Sequence, residues 1–181
     1  MNQRTVLLIS LVTLGALTRL IPHSPNFTSV GAVAIFAAFT LRRTWLAYLA
    51  PVAAILLSDA ALYFTDEHYS FGWINLFVLA GFCMTVFGSR YLKKATLAGV
   101  GGCMLGSAVI FFLVTNFGVW IMGGGFHYPL TLEGLVATCA VGIPFFWSTL
   151  AGTLFYGTCL FAALKLAESA LPGLRAESAP V

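Results

Sequence analysis

The sequence predicts an all-α integral membrane protein, a bundle of six transmembrane helices with both termini on the cytoplasmic side. Of the 181 residues, 60% are hydrophobic and only 8% are charged, whereas soluble domains carry roughly 25% charged residues. The mean hydropathy is +0.95. Crossing the hydrocarbon layer takes about 20 apolar residues, so the chain holds six or seven crossings. It leaves no room for a soluble catalytic domain.

Apolar runs separated by glycine, proline and charged residues define the six segments. The first run resembles a secretory signal, but no small-residue cleavage site follows it, and we interpret it as a retained helix. The second is short and crosses only if it is tilted, or if the layer thins or neighbouring helices shield it. The sixth is too long for one span, and Pro144 is expected to kink or break it. We predict one transmembrane domain over residues 1–167, a polar cytoplasmic tail over 168–181, and helices at about 5–21, 28–41, 45–64, 71–91, 95–121 and 131–166.

The positions of the basic residues set the orientation. They fall at alternate helix ends, which makes those ends cytoplasmic, and Arg19 is the one exception. This pattern also explains the net charge of +3, so the expected partner is the lipid bilayer and nucleic acid is not expected. The basic residues at the predicted cytoplasmic ends are Arg4, Arg42, Arg43, Arg90, Lys93, Lys94, Lys165 and Arg175.

Small residues are expected to bring the helices together, because they let backbones approach closely in lipid. Gly31, Gly152, Gly157 and the glycines within 99–106 are the candidates.

Polar groups at membrane depth are costly and indicate function by default. Asp59 in the third helix is either a functional carboxylate or a structural anchor, with Arg19 as its partner. The first outer loop contains two prolines and is expected to form a shaped lid. The second reads GGGFHYPLT and suits either a gate or an ordinary connection. Trp120 is either a ligand contact or an interfacial aromatic residue. The candidate binding residues are Asn26, Phe27, Asp59, Tyr69, Trp73, Asn75, Thr115, Asn116, Trp120, His127, Tyr128 and Phe146.

The four cysteines lie in apolar runs and show no spacing typical of a zinc site or a disulfide framework. Most are expected to be packed thiols. Cys83, about midway along the fourth helix, is either a soft metal ligand at the floor of an outward-opening pocket or a packed thiol.

No catalytic motif or phosphate-binding loop is present in the sequence. The chain is therefore not expected to be an enzyme or to couple transport to ATP by itself. The alternative is an intramembrane enzyme that uses Asp59, His23 and His127. A third interpretation is a structural subunit without a pocket.

Several stretches together resemble a known family: RLIPHSPNFTSVGAVAIFAA, the pair Ser58 and Asp59, TNFGVW, YPLTLEGL and IPFFWSTLAG. Over residues 19–166 the chain is similar to the six-helix S-components of bacterial energy-coupling-factor (ECF) vitamin transporters. Within that group it most resembles the solitary cobalamin transporters of the BtuM type.

The resemblance implies uptake of cobalamin or a related corrinoid across the bacterial inner membrane. A membrane-embedded cysteine would bind the substrate's cobalt, with Cys83 as first choice and Cys139 as second. Cobalamin would be the transported ligand and not an intrinsic cofactor. The partner would be an ECF module, made of a coupling subunit and ATPases, or there would be none if the protein is solitary. An S-component-like transporter for another vitamin is the alternative.

Overall fold

The structure is a computed structural model that describes residues 3–21, 24–65, 72–91, 96–123 and 128–174. These residues form six α-helices and two short 3-10 turns, Thr18–Leu20 and Pro172–Leu174, and they contain no strand. Each predicted segment holds one helix, which confirms the all-α class. The helices are α1 (Gln3–Leu17), α2 (Val30–Thr40), α3 (Thr44–Thr65), α4 (Ile74–Arg90), α5 (Leu97–Met122) and α6 (Leu132–Ala170).

Successive helices run in opposite directions, so the bundle has two ends. The termini end holds the start of α1 and the end of α6, where Arg4 forms an ion pair with Glu168 and donates to the Leu174 carbonyl. The opposite end, called the distal end below, carries the α1–α2 loop and the α5–α6 loop.

The short helix α2 is the centre of the molecule. It contacts all five other helices, and its residues 30–38 are all buried. Its sequence, VGAVAIFAAFT, is apolar on every face, so no side of the helix favours water. Its 11 residues span about 16 Å, roughly half the hydrocarbon thickness. The neighbouring helices therefore shield this segment, which is one of the ways in which it was expected to be accommodated.

Within the part of the chain that the structure describes, four helices are long and apolar enough to cross a membrane. They extend over Gln3–Leu20, Thr44–Phe64, Leu97–Met122 and Leu132–Ala170. The other two apolar helices, α2 and α4, are shorter, with 11 and 17 residues.

Glycines make some of the predicted helix contacts and not others. A Cβ on Gly31 would lie 2.8 Å from the Thr153 hydroxyl, and one on Gly157 would lie 2.3 Å from the Met104 methyl. These close approaches exist because a side chain is missing there. In contrast, Gly101, Gly102 and Gly106 face open space. The expectation that the glycine cluster of α5 packs helices is therefore wrong for these three residues within the described structure.

Helix α6 is continuous through Pro144, so the expected break does not occur. Its 39 residues extend about 58 Å, longer than one crossing requires. The helix also continues past the predicted boundary of the domain to Ala170, and Glu168 is held by Arg4. The cytoplasmic tail over residues 168–181 stays a prediction, and residues 175–181 lie outside the described residues.

Candidate functional site

An ion pair links three elements at the distal end. The 3-10 turn after α1 carries Arg19 across to α3, where its guanidinium donates to the Asp59 carboxylate and the Ser58 hydroxyl. From the start of α4, the Asn75 amide donates to the other Asp59 oxygen at 3.0 Å. Asp59 is only 1% exposed. A carboxylate this deeply buried needs both partners to offset its lost hydration.

This pairing explains why Arg19 departs from the charge pattern of the other basic residues. The charge of Arg19 is balanced by Asp59 inside the protein, so its position at the distal end does not conflict with the orientation predicted from the other basic residues. Arg19 is the partner expected for Asp59 as an anchor. Both Asp59 oxygens are occupied, which leaves little freedom for acid–base chemistry. His23 and His127 lie outside the described residues, and an enzyme built on these three residues stays a prediction.

The second half of the loop over residues 24–29 packs against α6, since residues 24–26 are exposed and Ser29 is fully buried. Asn26 has a φ of 63°, a left-handed conformation that Asn tolerates better than most residues. This turn is closed by hydrogen bonds from Phe27 N to Ser24 O and from Thr28 N to Asn26 O, both 3.0 Å. A Cβ on Gly152 would lie 3.0 Å from the Thr28 backbone. The loop can therefore pack closely against α6 because Gly152 has no side chain.

Beneath this loop lies a cavity of about 100 Å³. Thr153 on α6 lines it, and this side chain is 1% exposed and forms no hydrogen bond with any described residue. One turn earlier, Thr149 lines the same cavity, but its hydroxyl already donates to the Phe145 carbonyl at 2.9 Å. Other lining residues are Arg19, Asn26, Thr28, Ile55, Phe82 and Phe111.

A larger cavity of about 290 Å³ adjoins the first, and the two share Asn26, Val78 and Phe111 as lining residues. We call the two together the distal pocket. The larger part lies between α4, α5 and α6. Its polar groups are neutral, and its apolar wall includes Val141 and Phe145. The polar lining residues are Asn26, Thr115, Asn116, Tyr128 and Thr138.

Asn116 is held in position by its own helix and by α6. Its amide nitrogen donates to the Phe112 carbonyl at 2.8 Å. The carboxamide lies against Gly142, where a Cβ would come within 2.5 Å of its oxygen. The hydroxyls of Thr115 and Thr138 donate to carbonyls one turn back, those of Phe111 and Gly134, at 2.8 Å each.

The predicted binding residues divide into several groups. Asn26, Thr115, Asn116 and Tyr128 line the distal pocket, and Asp59 and Asn75 belong to the adjoining ion-pair network. The remaining candidates have other positions. Phe27 contacts the rings of Phe155 and Tyr156, and Phe146 contacts those of Phe112 and Trp147. The Trp120 indole donates to the Pro129 carbonyl at 3.0 Å, and Trp73 is 70% exposed. Tyr69 and His127 lie outside the described residues.

The two cysteines predicted as cobalt ligands do not border the distal pocket. Cys83 is half-buried and shares a face of α4 with Leu76 and Phe87, each 56% exposed. Its neighbours Phe82 and Thr85 take the inward positions. Cys139 is also half-buried. The described residues contain no cluster of three or more His, Cys, Asp or Glu side chains that could hold a metal ion.

A family model described as a family of unknown function (DUF6580) matches residues 1–174. The chain belongs to this family. No curated protein and no solved structure shows significant similarity to it. The resemblance to S-components therefore stays a prediction.

Three polar residues of the distal pocket in this DUF6580 chain escaped sequence reasoning: Thr138, Thr149 and Thr153. A threonine in an apolar helix commonly bonds its own backbone, as Thr138 and Thr149 do, so the residue type alone gives no signal. The spacing of four residues between Thr149 and Thr153, which places both on one face of α6, is the signal that was available in the sequence.

Proposed function

We propose that this DUF6580 protein crosses the bacterial inner membrane six times, with both termini in the cytoplasm, and binds a small organic molecule in the distal pocket for uptake. Support for the orientation comes from the basic residues and from the internal pairing of Arg19 with Asp59. The shorter helix α4, with 17 residues, extends about 25 Å and would cross with modest thinning of the layer.

The observation that carries the proposal is the unpaired hydroxyl of Thr153 inside a cavity. A hydrogen bond within a protein contributes about 0.5–1.5 kcal/mol net, so a guest that bonds to this hydroxyl gains an energy of that size on binding. The carboxamide of Asn26, an exposed residue, borders the same space. A few polar groups beside apolar walls are typical of ligand sites.

The chemistry of the walls favours an uncharged ligand. The polar side chains of the larger cavity are amides and hydroxyls, and the nearby charge of Arg19 is already balanced by Asp59. A volume of about 290 Å³ is close to the lower end of the range of roughly 300–1,000 Å³ for small-molecule pockets. The ligand class is therefore a small molecule with an apolar body and amide, carbonyl or hydroxyl groups.

Cobalamin remains the specific substrate that the resemblance implies. The Asn and Thr groups suit its amide side chains, but a corrinoid is much larger than the distal pocket as it stands. Binding it would require the loops of the distal end to open, and cobalt ligation by Cys83 would require α4 to rotate inward. Uptake through an ECF module and uptake by the lone protein are both compatible with this proposal.

The test compares ligand binding by two matched variants in the same cavity. The purified protein is titrated with a panel of water-soluble vitamins, including cobalamin, and with any small molecule that copurifies and is identified by mass spectrometry. Thr153→Val removes the unpaired hydroxyl and is expected to weaken binding about 2- to 13-fold. Thr149→Val removes a hydroxyl whose proton is already used and is expected to weaken it less.

Two results would contradict the proposal. One is a wild-type protein that binds nothing in the panel and copurifies with no small molecule. The other is an equal effect of the two threonine variants on binding.

A further inference from the structure

An apolar groove of about 380 Å³ runs along the outside of the bundle between α1 and α3. Leucines and alanines form its α3 wall, from Leu46 through Ala50 and Ala53 to Leu57, and Ile9 and Leu17 lie on the α1 side. From Leu46 to Leu57 the wall extends about 17 Å. One leaflet of the hydrocarbon layer is about 15 Å deep, so the groove has the length of one acyl chain.

Positive charge gathers where the groove reaches the termini end. Leu41 lines the groove there, and the exposed residues Arg42 and Arg43 follow it directly. Arg90 approaches from α4 and donates to the Leu41 carbonyl at 3.0 Å. The Nε atom of Arg90 is buried and has no hydrogen-bond partner in the described structure.

None of these three arginines has an acidic partner among the described residues, since the two ion pairs found there join Arg4 to Glu168 and Arg19 to Asp59. The first turn of α3 begins at Thr44 and adds the positive end of a helix dipole at the same place. Trp45 is 57% exposed beside it, as is typical of a residue at the membrane interface.

We infer that this groove binds an anionic phospholipid, with one acyl chain between α1 and α3 and the phosphate beside Arg42 and Arg43. Basic sites at the membrane surface next to grooves between helices are suited to anionic headgroups. A second copy of the chain is disfavoured, because it would bring the same arginines close to one another or leave their charge unmatched. This inference does not depend on the ligand of the distal pocket.

The experiment is competitive lipid binding measured by native mass spectrometry. The protein is equilibrated with equal amounts of phosphatidylglycerol and phosphatidylcholine that have the same acyl chains, and the bound lipids are counted. We expect phosphatidylglycerol to be preferred. The double variant Arg42→Gln and Arg43→Gln is expected to reduce that preference about 25-fold, about fivefold for each arginine. Lys165→Gln, an exposed basic residue outside the groove, is the charge control.

A second pair of variants tests the groove itself. Ala53→Phe fills it without changing a charge and is expected to reduce phosphatidylglycerol binding, whereas Ala151→Phe on the exposed side of α6 is not. Equal binding of the two lipids by the wild type would overturn the inference even if a variant fails to fold. Unchanged binding in Ala53→Phe, displacement of the lipid by soluble glycerol phosphate alone, or a dimer that excludes lipid would each overturn it as well.

Discussion

Removing the Asp59 carboxylate should expose how much the distal end depends on the ion pair. In Asp59→Ala, Arg19 keeps its charge at a site where its side chain is only 17% exposed. The neighbours left to it are the Ser58 hydroxyl and, at 3.5 Å, the Ile55 carbonyl. Asn75 also loses its acceptor. Breaking a buried pair on one side typically costs about 3–5 kcal/mol, and we expect a loss of unfolding free energy in that range.

The other ion pair of the described structure provides the matched control. Arg4 and Glu168 have side chains that are 21% and 26% exposed, and Arg4 also donates to the Leu174 carbonyl. Glu168→Ala should therefore cost at most about 1 kcal/mol. A double variant, Arg19→Met with Asp59→Leu, removes both buried charges and should recover most of the stability lost in Asp59→Ala.

Unfolding of the purified protein in mild detergent, followed by circular dichroism, measures these differences. The reasoning predicts a large loss for Asp59→Ala, a small loss for Glu168→Ala and a recovery in the double variant. If Asp59→Ala unfolds within about 1 kcal/mol of the wild type, the ion pair is not the anchor of the distal end. A double variant no more stable than Asp59→Ala would mean that packing, and not the uncompensated charge, is responsible.

Three further changes test the distal loop and the metal prediction. Gly152→Ala should lower the melting temperature, because its Cβ would press on the Thr28 backbone. The control Gly102→Ala, at a glycine in open space, should leave the melting temperature unchanged or raise it. Equal melting temperatures of the two variants would contradict this. Asn26→Ala should lower the free energy of unfolding by about 1–2 kcal/mol, because alanine is strained in the left-handed conformation of this residue. Asn26→Gly should lower it less, because glycine adopts that conformation freely, and the reverse order would exclude a local backbone cause. Cys83→Ala should leave binding in the distal pocket unchanged, and a cobalt absorbance band that disappears in this variant would instead support the resemblance.

Much of the fold could be predicted because hydropathy and charge act along the sequence. Long apolar runs in a chain with few charges indicate membrane helices whatever their neighbours are, so the helical class and the position of each helix followed. The partner of Asp59 could also be predicted. A buried carboxylate requires a cation, and Arg19 was the one basic residue out of place in the charge pattern.

The distal pocket could not be predicted, because it depends on side-chain packing between helices, which the hydrophobic periodicity of the sequence does not reveal. Whether a glycine such as Gly106 meets another helix or open space is decided by the tilt of its neighbours. The inward face of α4 likewise depends on contacts between helices, such as the hydrogen bond of 3.1 Å between Thr85 of α4 and Ser107 of α5. The continuity of α6 through Pro144 reflects the same limit, because surrounding helices can stabilise a helix that has lost one hydrogen bond.

The length of α2 is what makes room for the distal pocket. Helix α5 has 26 residues and α2 has 11, which corresponds to about 39 Å against about 16 Å. A central helix this short leaves the distal part of the bundle without a core, and the loop over residues 24–29 fills only part of that space. Because Asn26 and Thr28 of this loop line the remaining space, the space is both open and polar. A longer α2 would have filled this space with side chains. A pocket at this end therefore requires the central helix to begin no earlier than Val30.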